Sequence, residues 1–377
     1  MAITLDGTKG TTTPGLYSNS TFTGTYTDGV VVDYTTGQGR ISVGPADGLG
    51  IYNGGVAGTQ IASFGTDGSI NVPNTFGFKN RFINGDMRIN QRGASGLSSG
   101  TGVLTYSLDR FFTYATGAAV TMSQYTGVNF GSTVTSVLQV TGASSNTSFN
   151  VGQRIEAANI RDLAGQSVAF SCWVYQTTGS TQTFTVNAYT PTATDNWSSQ
   201  NTYANVVSAS VASGVWTYVS GTFTLNSTAQ YGGGLSFGNF ALGSGQQFAV
   251  GNVQLEKGTV ATSFDTRSIG TELALCQRYY YRMGQDAVGP ACVYSANNYY
   301  TSITFPVTMR AAPTFSASAS NILVCYSSGG GYTSSAINGG VLSTYGADVQ
   351  VTATGTAGNG AFMRFTNSGF LQFTAEL

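Results

Sequence analysis

Histidine is absent from this chain of 377 residues. That removes the commonest general base, the commonest metal ligand and the side chain that titrates near neutrality, so Ser-His, Cys-His and His-metal chemistry are excluded outright. Charge is scarce as well. Fifteen Lys and Arg face sixteen Asp and Glu, which makes 8% of residues charged, where about 25% is usual. No basic footprint for nucleic acid exists. Surfaces so poor in charge associate readily, so much of this one is expected to be hidden against other subunits or covered by Ser, Thr, Asn and Gln. The four cysteines, Cys172, Cys276, Cys292 and Cys325, lack close CxxC spacing, so neither a zinc site nor a redox pair is signalled. They read as buried free thiols. Long apolar runs are also missing. No stretch approaches the ~20 apolar residues of a membrane span, which implies no membrane insertion. Residues 1–10 hold Asp6 and Lys9 and no apolar core of signal-peptide length, as expected of a protein assembled in the cytoplasm and released by lysis.

What is abundant points to β structure. Fifty-one Gly, 21 Tyr and 22 Phe against 7 Pro suit many short strands joined by glycine turns. Disorder would need few aromatics and high net charge. The expected fold is therefore all-β, in three regions. Residues 1–79 carry short aliphatic runs such as Val30-Val31-Val32-Asp33-Tyr34 and Arg40-Ile41-Ser42-Val43, too short to close a private core. Further on, residues 61–72 read as strand, Asp67-Gly68 turn, strand. Such pieces gain a core when three copies wind together, so this region is read as an intertwined trimeric shaft or particle-attachment segment. Residues 80–267 alternate with a period of two, most clearly in 167–175 and 215–223, and eight or so such strands make a two-sheet sandwich, a β-jelly roll. Trp173 and Trp216 fall in these alternating strands and are read as core. One short helix over 271–281, with Thr271 as its cap, links to residues 268–377, a small β-sandwich tip.

The segment Asn80-Arg81-Phe82-Ile83-Asn84-Gly85-Asp86-Met87-Arg88-Ile89-Asn90-Gln91-Arg92-Gly93 resembles the opening of jelly-roll domains found in many phage tail fibre and virion structural proteins. Similarity continues through Leu108-Asp109-Arg110-Phe111-Phe112, Gln153-Arg154-Ile155-Glu156, Gly251-Asn252-Val253-Gln254-Leu255-Glu256 and Ala261-Thr262-Ser263-Phe264-Asp265-Thr266-Arg267, and covers roughly half the chain in order and spacing. The same fold looks like that of family 4 and 9 carbohydrate-binding modules, in which the Asn-Gly-Asp strand and the Val-Gln-Leu-Glu strand lie together. Phe305-Pro306-Val307-Thr308-Met309-Arg310 is similar to a segment common in C-terminal domains of phage tail proteins. This resemblance implies a virion protein: a homotrimeric fibre or spike, attached through residues 1–79 to other tail or particle proteins and displaying a binding surface for host glycan. Related modules often hold a structural calcium ion through an acid just after Asn-Gly-Asp. Here Met87-Arg88 stand in those places, so calcium is the only cofactor the resemblance allows, and no metal ligand is singled out.

Two sets of residues follow. In so charge-poor a chain, Asp86, Arg88, Arg110, Arg154, Glu156 and Glu256 are read as Arg-carboxylate pairs fixing strand ends. Glycan binding calls for aromatic faces to stack on sugar rings and amides to bond hydroxyls. The polar stretch 189–203, read as a loop, offers Asn196, Trp197 and Tyr203. The tip offers Tyr299, Tyr300 and Tyr332. A glycan-degrading spike would need two carboxylates about 5–9 Å apart. Asp195, Asp286 and Asp348 are paired by no spacing, and no long β-helix repeat is present, so the chain is read as a non-enzyme. The alternative from another class is a purely structural virion part, such as a head fibre, capsid decoration or tail adaptor, with no receptor role.

Overall fold

The structure is a computed structural model that describes residues 30–35, 38–43, 48–53, 59–66, 70–71, 78–128, 136–284, 288–327, 329–366 and 369–377. The chain divides into two compact units, Met1–Phe76 and Gly77–Leu377. In the first, β1 (Val30–Thr35) pairs antiparallel with β2 (Gln38–Val43), and β4 (Thr59–Phe64) lies between β3 (Leu49–Asn53) and β5 (Ile70–Asn71). The Asp67-Gly68 turn lies outside the described residues; the strands on either side of it pair Phe64 with Ile70. Ile41, Ile51, Tyr52 and Phe64 are 43–60% exposed, so these small sheets leave apolar side chains uncovered in the single chain.

The second unit opens with a two-sheet sandwich. Its strands are β6 (Leu97–Ser98), β7 (Thr105–Tyr106), β8 (Phe112–Thr116), β9 (Thr121–Thr126), β10 (Ser136–Thr141), β11 (Ser148–Ile155), β12 (Ser167–Gln176), β13 (Gln182–Ala193), β14 (Asn196–Val211), β15 (Thr217–Thr224), β16 (Gly233–Phe240) and β17 (Gln247–Lys257). One sheet runs β15-β12-β17-β10-β9-β6 and the other β14-β13-β16-β11-β8-β7, antiparallel throughout. This is the all-β, jelly-roll-type architecture that the alternation calls for. Alternate residues of facing strands meet between the sheets: Val168, Phe170, Cys172 and Val174 of β12, Phe149 and Val151 of β11, Phe184 and Val186 of β13, Leu235 and Phe237 of β16. The rings interlock, with Phe149 5.0 Å from Phe248 and 5.7 Å between Phe170 and Phe237. Each fully buried Phe contributes about 1.5–3 kcal/mol of transfer free energy.

Three sequence readings need correction here. The stretch 189–203 is not a loop. It is the distal part of a β13–β14 hairpin that turns between Ala193 and Asn196, with Asp195 at φ 53°. As the sheet's edge, the distal part of β14, residues 196–202, is polar apart from Trp197 and shows no alternation to read, whereas Val207 and Val211 farther along face the core. Trp173 and Trp216 are not core. Period two puts Cys172 and Val174 inside, and Trp173 stands on the outer face, 5.4 Å from Tyr218, while Trp216 lies 5.2 Å from Tyr175. Cys292 is exposed, whereas Cys172, Cys276 and Cys325 are buried, and burial pushes the Cys325 thiol up to about 12.

Residues 80–93 form turns rather than a strand, yet they lie along β17 as the resemblance implies: the Val253 amide donates to the Gly85 carbonyl at 2.9 Å and Asn80 Nδ2 to the Val253 carbonyl at 2.9 Å. A Cβ on Gly85 would come within 2.3 Å of the Val253 oxygen, so only glycine permits this approach. Besides the single turn α1 (Ala157–Ile160), a helix α2 spans Ile269–Gln277. It starts before Thr271, so Ser268 is the N-cap, and it stops at Gln277 because residues 280–284 are taken into a sheet. Helix α2 packs Cys276 and its follower Tyr279 on Ile83 and Ile89. Its Glu272 accepts from the Asn84 amide and from Arg267. Burial raises the Glu272 carboxyl above its usual value, and Arg267 offsets part of that.

The remaining strands are β18 (Tyr280–Gly284), β19 (Val288–Ser295), β20 (Asn298–Thr304), β21 (Thr314–Ala317), β22 (Leu323–Ser327), β23 (Gly330–Thr333), β24 (Ala336–Leu342), β25 (Gly346–Thr352), β26 (Gly360–Phe365) and β27 (Phe370–Thr374). They form sheets β18-β27-β21 and β23-β22-β26-β19-β20-β25-β24 over a core that includes Tyr299, Phe305, Leu371 and Phe373. After β27 the chain returns to the first sandwich. The Ala375 amide donates to the Tyr279 carbonyl at 2.7 Å. Glu376 is paired with Arg92 at 2.8 Å and with Arg110, and the Leu377 carbonyl accepts from Arg154 Nη1 at 2.7 Å and from the Tyr106 hydroxyl at 3.0 Å.

Candidate functional site

A groove of about 440 Å³ crosses the outer face of the β14-β13-β16-β11-β8-β7 sheet. Strand register builds it. Arg154 on β11 stands opposite Gly234 on β16, and Gly234 opposite Tyr189 on β13, so the three form one row. Two residues along, Gly152, Ser236 and Asn187 make the next row, and Asn150 faces Tyr114 of β8 in the one beyond. Alternation that sends Phe149 and Val151 inward sends Asn150, Gly152 and Arg154 outward.

Gly234 decides where the indole goes. With no Cβ there, Trp197 lies over the strand, its Cη2 only 3.1 Å from where a Cβ would stand. The Arg154 guanidinium sits 4.7 Å from the indole centre, a cation–π contact. On the other side the Tyr189 hydroxyl bonds the Ser236 hydroxyl at 3.0 Å. Tyr114, 37% exposed, and Gln200 complete the polar and aromatic lining. Two buried polar atoms of the wall, Trp197 Nε1 and Asn150 Oδ1, have no hydrogen-bond partner among the described residues. A small turn of either side chain toward the groove would therefore break no protein bond. Among the described residues, no Asp or Glu lines the groove.

Of the glycan candidates, Trp197 lies in this groove. Asn196 is in the adjacent turn, where Oδ1 accepts from the Ser198 amide at 3.1 Å and the Ser198 hydroxyl at 2.7 Å. Tyr203 packs partly against the sandwich core, with its hydroxyl 3.3 Å from Thr228 Oγ1. The tip tyrosines lie elsewhere and form no common site with these. Tyr299 is 0% exposed and its hydroxyl bonds Ser327 and the Thr354 carbonyl, both at 2.7 Å, so it is core and not a ligand surface. Its neighbour Tyr300 points out of the sheet, 5.5 Å from Tyr294. Tyr332 is half-buried against the tip core. Tyr189 and Gln200 belong to the 189–203 stretch offered for glycan binding, while Arg154, Tyr114, Asn150 and Ser236 were not singled out as ligand residues. The signal for them was the outward phase of β11, β13 and β16, legible once inward phenylalanines are fixed.

The expected ion pairs resolve into partners the sequence did not specify. Arg88 pairs with Asp86 beside it. Glu156 takes Arg278 in a two-pronged contact, Nη2 at 3.1 Å and Nε at 3.2 Å. Glu256 lies 3.9 Å from Lys79 and accepts from the Thr262 amide at 2.7 Å. Arg110, buried over the Tyr279 ring at 3.5 Å, pairs with Glu376. Burial lowers its pKa, and Glu376 together with Tyr279, Tyr106 and Cys276 more than offsets that, leaving it raised. Arg154 has no Asp or Glu partner among the described residues; its Nη1 bonds an oxygen of Leu377, the last residue of the chain, at 2.7 Å. Asp86 carries a guanidinium and, among the described residues, no three His, Cys, Asp or Glu converge. Of the acids weighed for hydrolysis, Asp195 accepts from the Ala157 amide at 2.8 Å, Asp348 from Ser302 at 2.8 Å, and Asp286 lies outside the described residues.

No protein-family model and no curated protein sequence matches the chain. Among solved structures it is similar to the CBM22-2 xylan-binding domain of Paenibacillus barcinonensis Xyn10C, at 14% identity and TM-score 0.30 over 39% of this chain and 91% of that one. The C-terminal family 22 carbohydrate-binding module of Clostridium thermocellum Xyn10B gives 14%, 0.31, 48% and 98% respectively. The enzymatically active domain of bacteriophage CBA120 tailspike protein 4 gives 13% and 0.31 over 48% of this chain and 22% of that one. At such scores the fold assignment rests on the strand order and register described above, which make the chain an all-β protein with a grooved two-sheet sandwich.

Proposed function

We propose that the chain is a non-catalytic glycan-binding protein of a phage particle, a trimeric fibre or spike subunit that attaches through its N-terminal region and holds host-surface glycan in the sandwich groove. The observation that carries the binding role is the row Arg154–Gly234–Tyr189 with Trp197 laid over the glycine. It puts an aromatic face, a second ring, amides and hydroxyls along one open channel, which is the chemistry a sugar chain requires. Location on a virion, assembled in the host cytoplasm and freed by lysis, rests on the motif series of residues 80–267. Trimerisation draws support from Ile41, Ile51, Tyr52 and Phe64, apolar side chains that the single chain leaves exposed and that threefold winding would cover. Binding at three sites at once turns weak single contacts into durable attachment.

Sedimentation of the full-length protein is expected to give a trimer that adsorbs to host cells in competition with the phage. A stably folded single subunit would remove the fibre reading. A trimer that binds only particles would assign the protein to a purely structural place.

A further inference from the structure

Taking the groove as the glycan site just proposed, we infer that residues 375–377 position its sugar-binding side chains, with Arg310 and Leu377 acting on the ligand through Arg154 and Trp197. The contacts form one chain. Arg154 lies against the Trp197 indole, 4.7 Å from its centre, and its Nη1 donates to the Leu377 oxygen at 2.7 Å. The Tyr106 hydroxyl donates to that same oxygen at 3.0 Å, and Tyr106 meets Phe112, which lines the groove, edge to face at 6.1 Å. A single tail atom thereby supports two parts of the groove wall. The tail is in turn held from the tip. Arg310 donates from Nε to the Ala375 carbonyl at 2.8 Å and from Nη2 to the Glu376 carbonyl at 3.0 Å, while the Leu377 side chain packs with Ile83, Ile89, Cys276 and Tyr279.

The indole depends on that guanidinium. Trp197 stands on edge strand β14, which has β13 as its one ladder partner, and its Nε1 has no hydrogen-bond partner among the described residues. Gly234 makes room for the ring; the Arg154 fork on the ring's face sets how it is turned. An untied arginine samples many rotamers. Tying Nη1 to a fixed oxygen sets the plane of the fork, and so the face it offers to the ring. Order imposed before the sugar arrives is not lost again on binding, and for one long side chain that is worth about three- to tenfold in affinity. Arg310 and Leu377 are therefore positioning residues that touch no sugar themselves. Because residues 375–377 follow β27, the groove reaches its binding form only once the tip has folded.

The test applies the full chain to an array of neutral and acidic oligosaccharides and takes the strongest binder as a free ligand. Arg310→Met, which releases the tail without touching the groove, is expected to bind it about three- to tenfold more weakly than wild type. The same variant should shift the Trp197 indole resonance before any sugar is added, with those of Trp173 and Trp216 in place. Arg310→Lys, which can keep one of the two carbonyl bonds, should fall between. An unmoved Trp197 resonance in sugar-free Arg310→Met would overturn the inference, whatever the affinity, and leave the groove reading standing. Binding of wild type to no array member would remove the groove reading and this inference with it. Should Arg310→Met fail to fold, hydrogen exchange in the wild type decides. The Ala375 amide donates to the Tyr279 carbonyl at 2.7 Å, and coupling between two sites is reciprocal, so saturating sugar should slow exchange of that amide by the same factor. An unchanged exchange rate would overturn the inference.

Discussion

Trp197→Ala is expected to weaken adsorption to a glycan surface by about thirty- to a hundredfold per site, the loss of a central aromatic anchor, while the melting temperature stays within a few degrees of wild type. The asymmetry follows from where the indole sits. Its ring is half-buried over Gly234 on the outer face of the sheet and contributes nothing to the phenylalanine core between the sheets. Removing it uncovers Gly234 and deprives Arg154 of the ring it lies against, yet opens no interior cavity. In the proposed trimer the measured loss should be steeper, because avidity compounds the change at each site. Cell-binding assays alongside thermal unfolding check this. Parallel loss of adsorption and stability would mean that the indole is structural and the site misassigned.

Glu376→Ala is expected to do the reverse, destabilising the Gly77–Leu377 unit by about 3–5 kcal/mol, because one substitution leaves two buried guanidiniums without their anion. Arg110 is 1% exposed and Arg92 12%. Each lies over a tyrosine ring, Tyr279 at 3.5 Å and Tyr280 at 3.8 Å, so neither can reach water without breaking packing around the segment that follows α2. Glu376→Gln should fall between, since an amide keeps one acceptor and loses the charge. Denaturant midpoints of the three proteins give the order. A midpoint for Glu376→Ala equal to wild type would show that the tail does not hold the two arginines.

These two predictions also mark where the sequence was legible. The inward faces of β11, β12, β13 and β16 carry mostly apolar residues, Phe and Val foremost, at alternate positions, so the sandwich could be read. The distal part of edge strand β14 could not, because with one neighbour and mostly solvated faces its Ser, Gln, Asn and Thr carry no period. That is why the 189–203 stretch reads as a loop although it brings Trp197 to the correct side. Tyr299 and Tyr300 show a second limit. Adjacent residues on one strand face opposite ways, so at most one of the pair could reach a ligand, and composition alone does not tell which. The partners of the arginines lay furthest out of reach. Glu376 is 266 residues from Arg110 and Leu377 is 223 from Arg154, contacts set only by the return of β27 to the first sandwich.

The chain holds three tryptophans, each with one indole N–H: Trp173 is on β12 of one sheet with Trp216 beside that strand's Tyr175, and Trp197 is on β14 of the other. Titrating the strongest-binding oligosaccharide into 15N-labelled protein is the most direct test of the groove. The Trp197 indole resonance should move and saturate with the binding curve, while those of Trp173 and Trp216 stay in place. Movement of Trp173 or Trp216 with Trp197 unchanged would place the sugar on the opposite face and contradict the account.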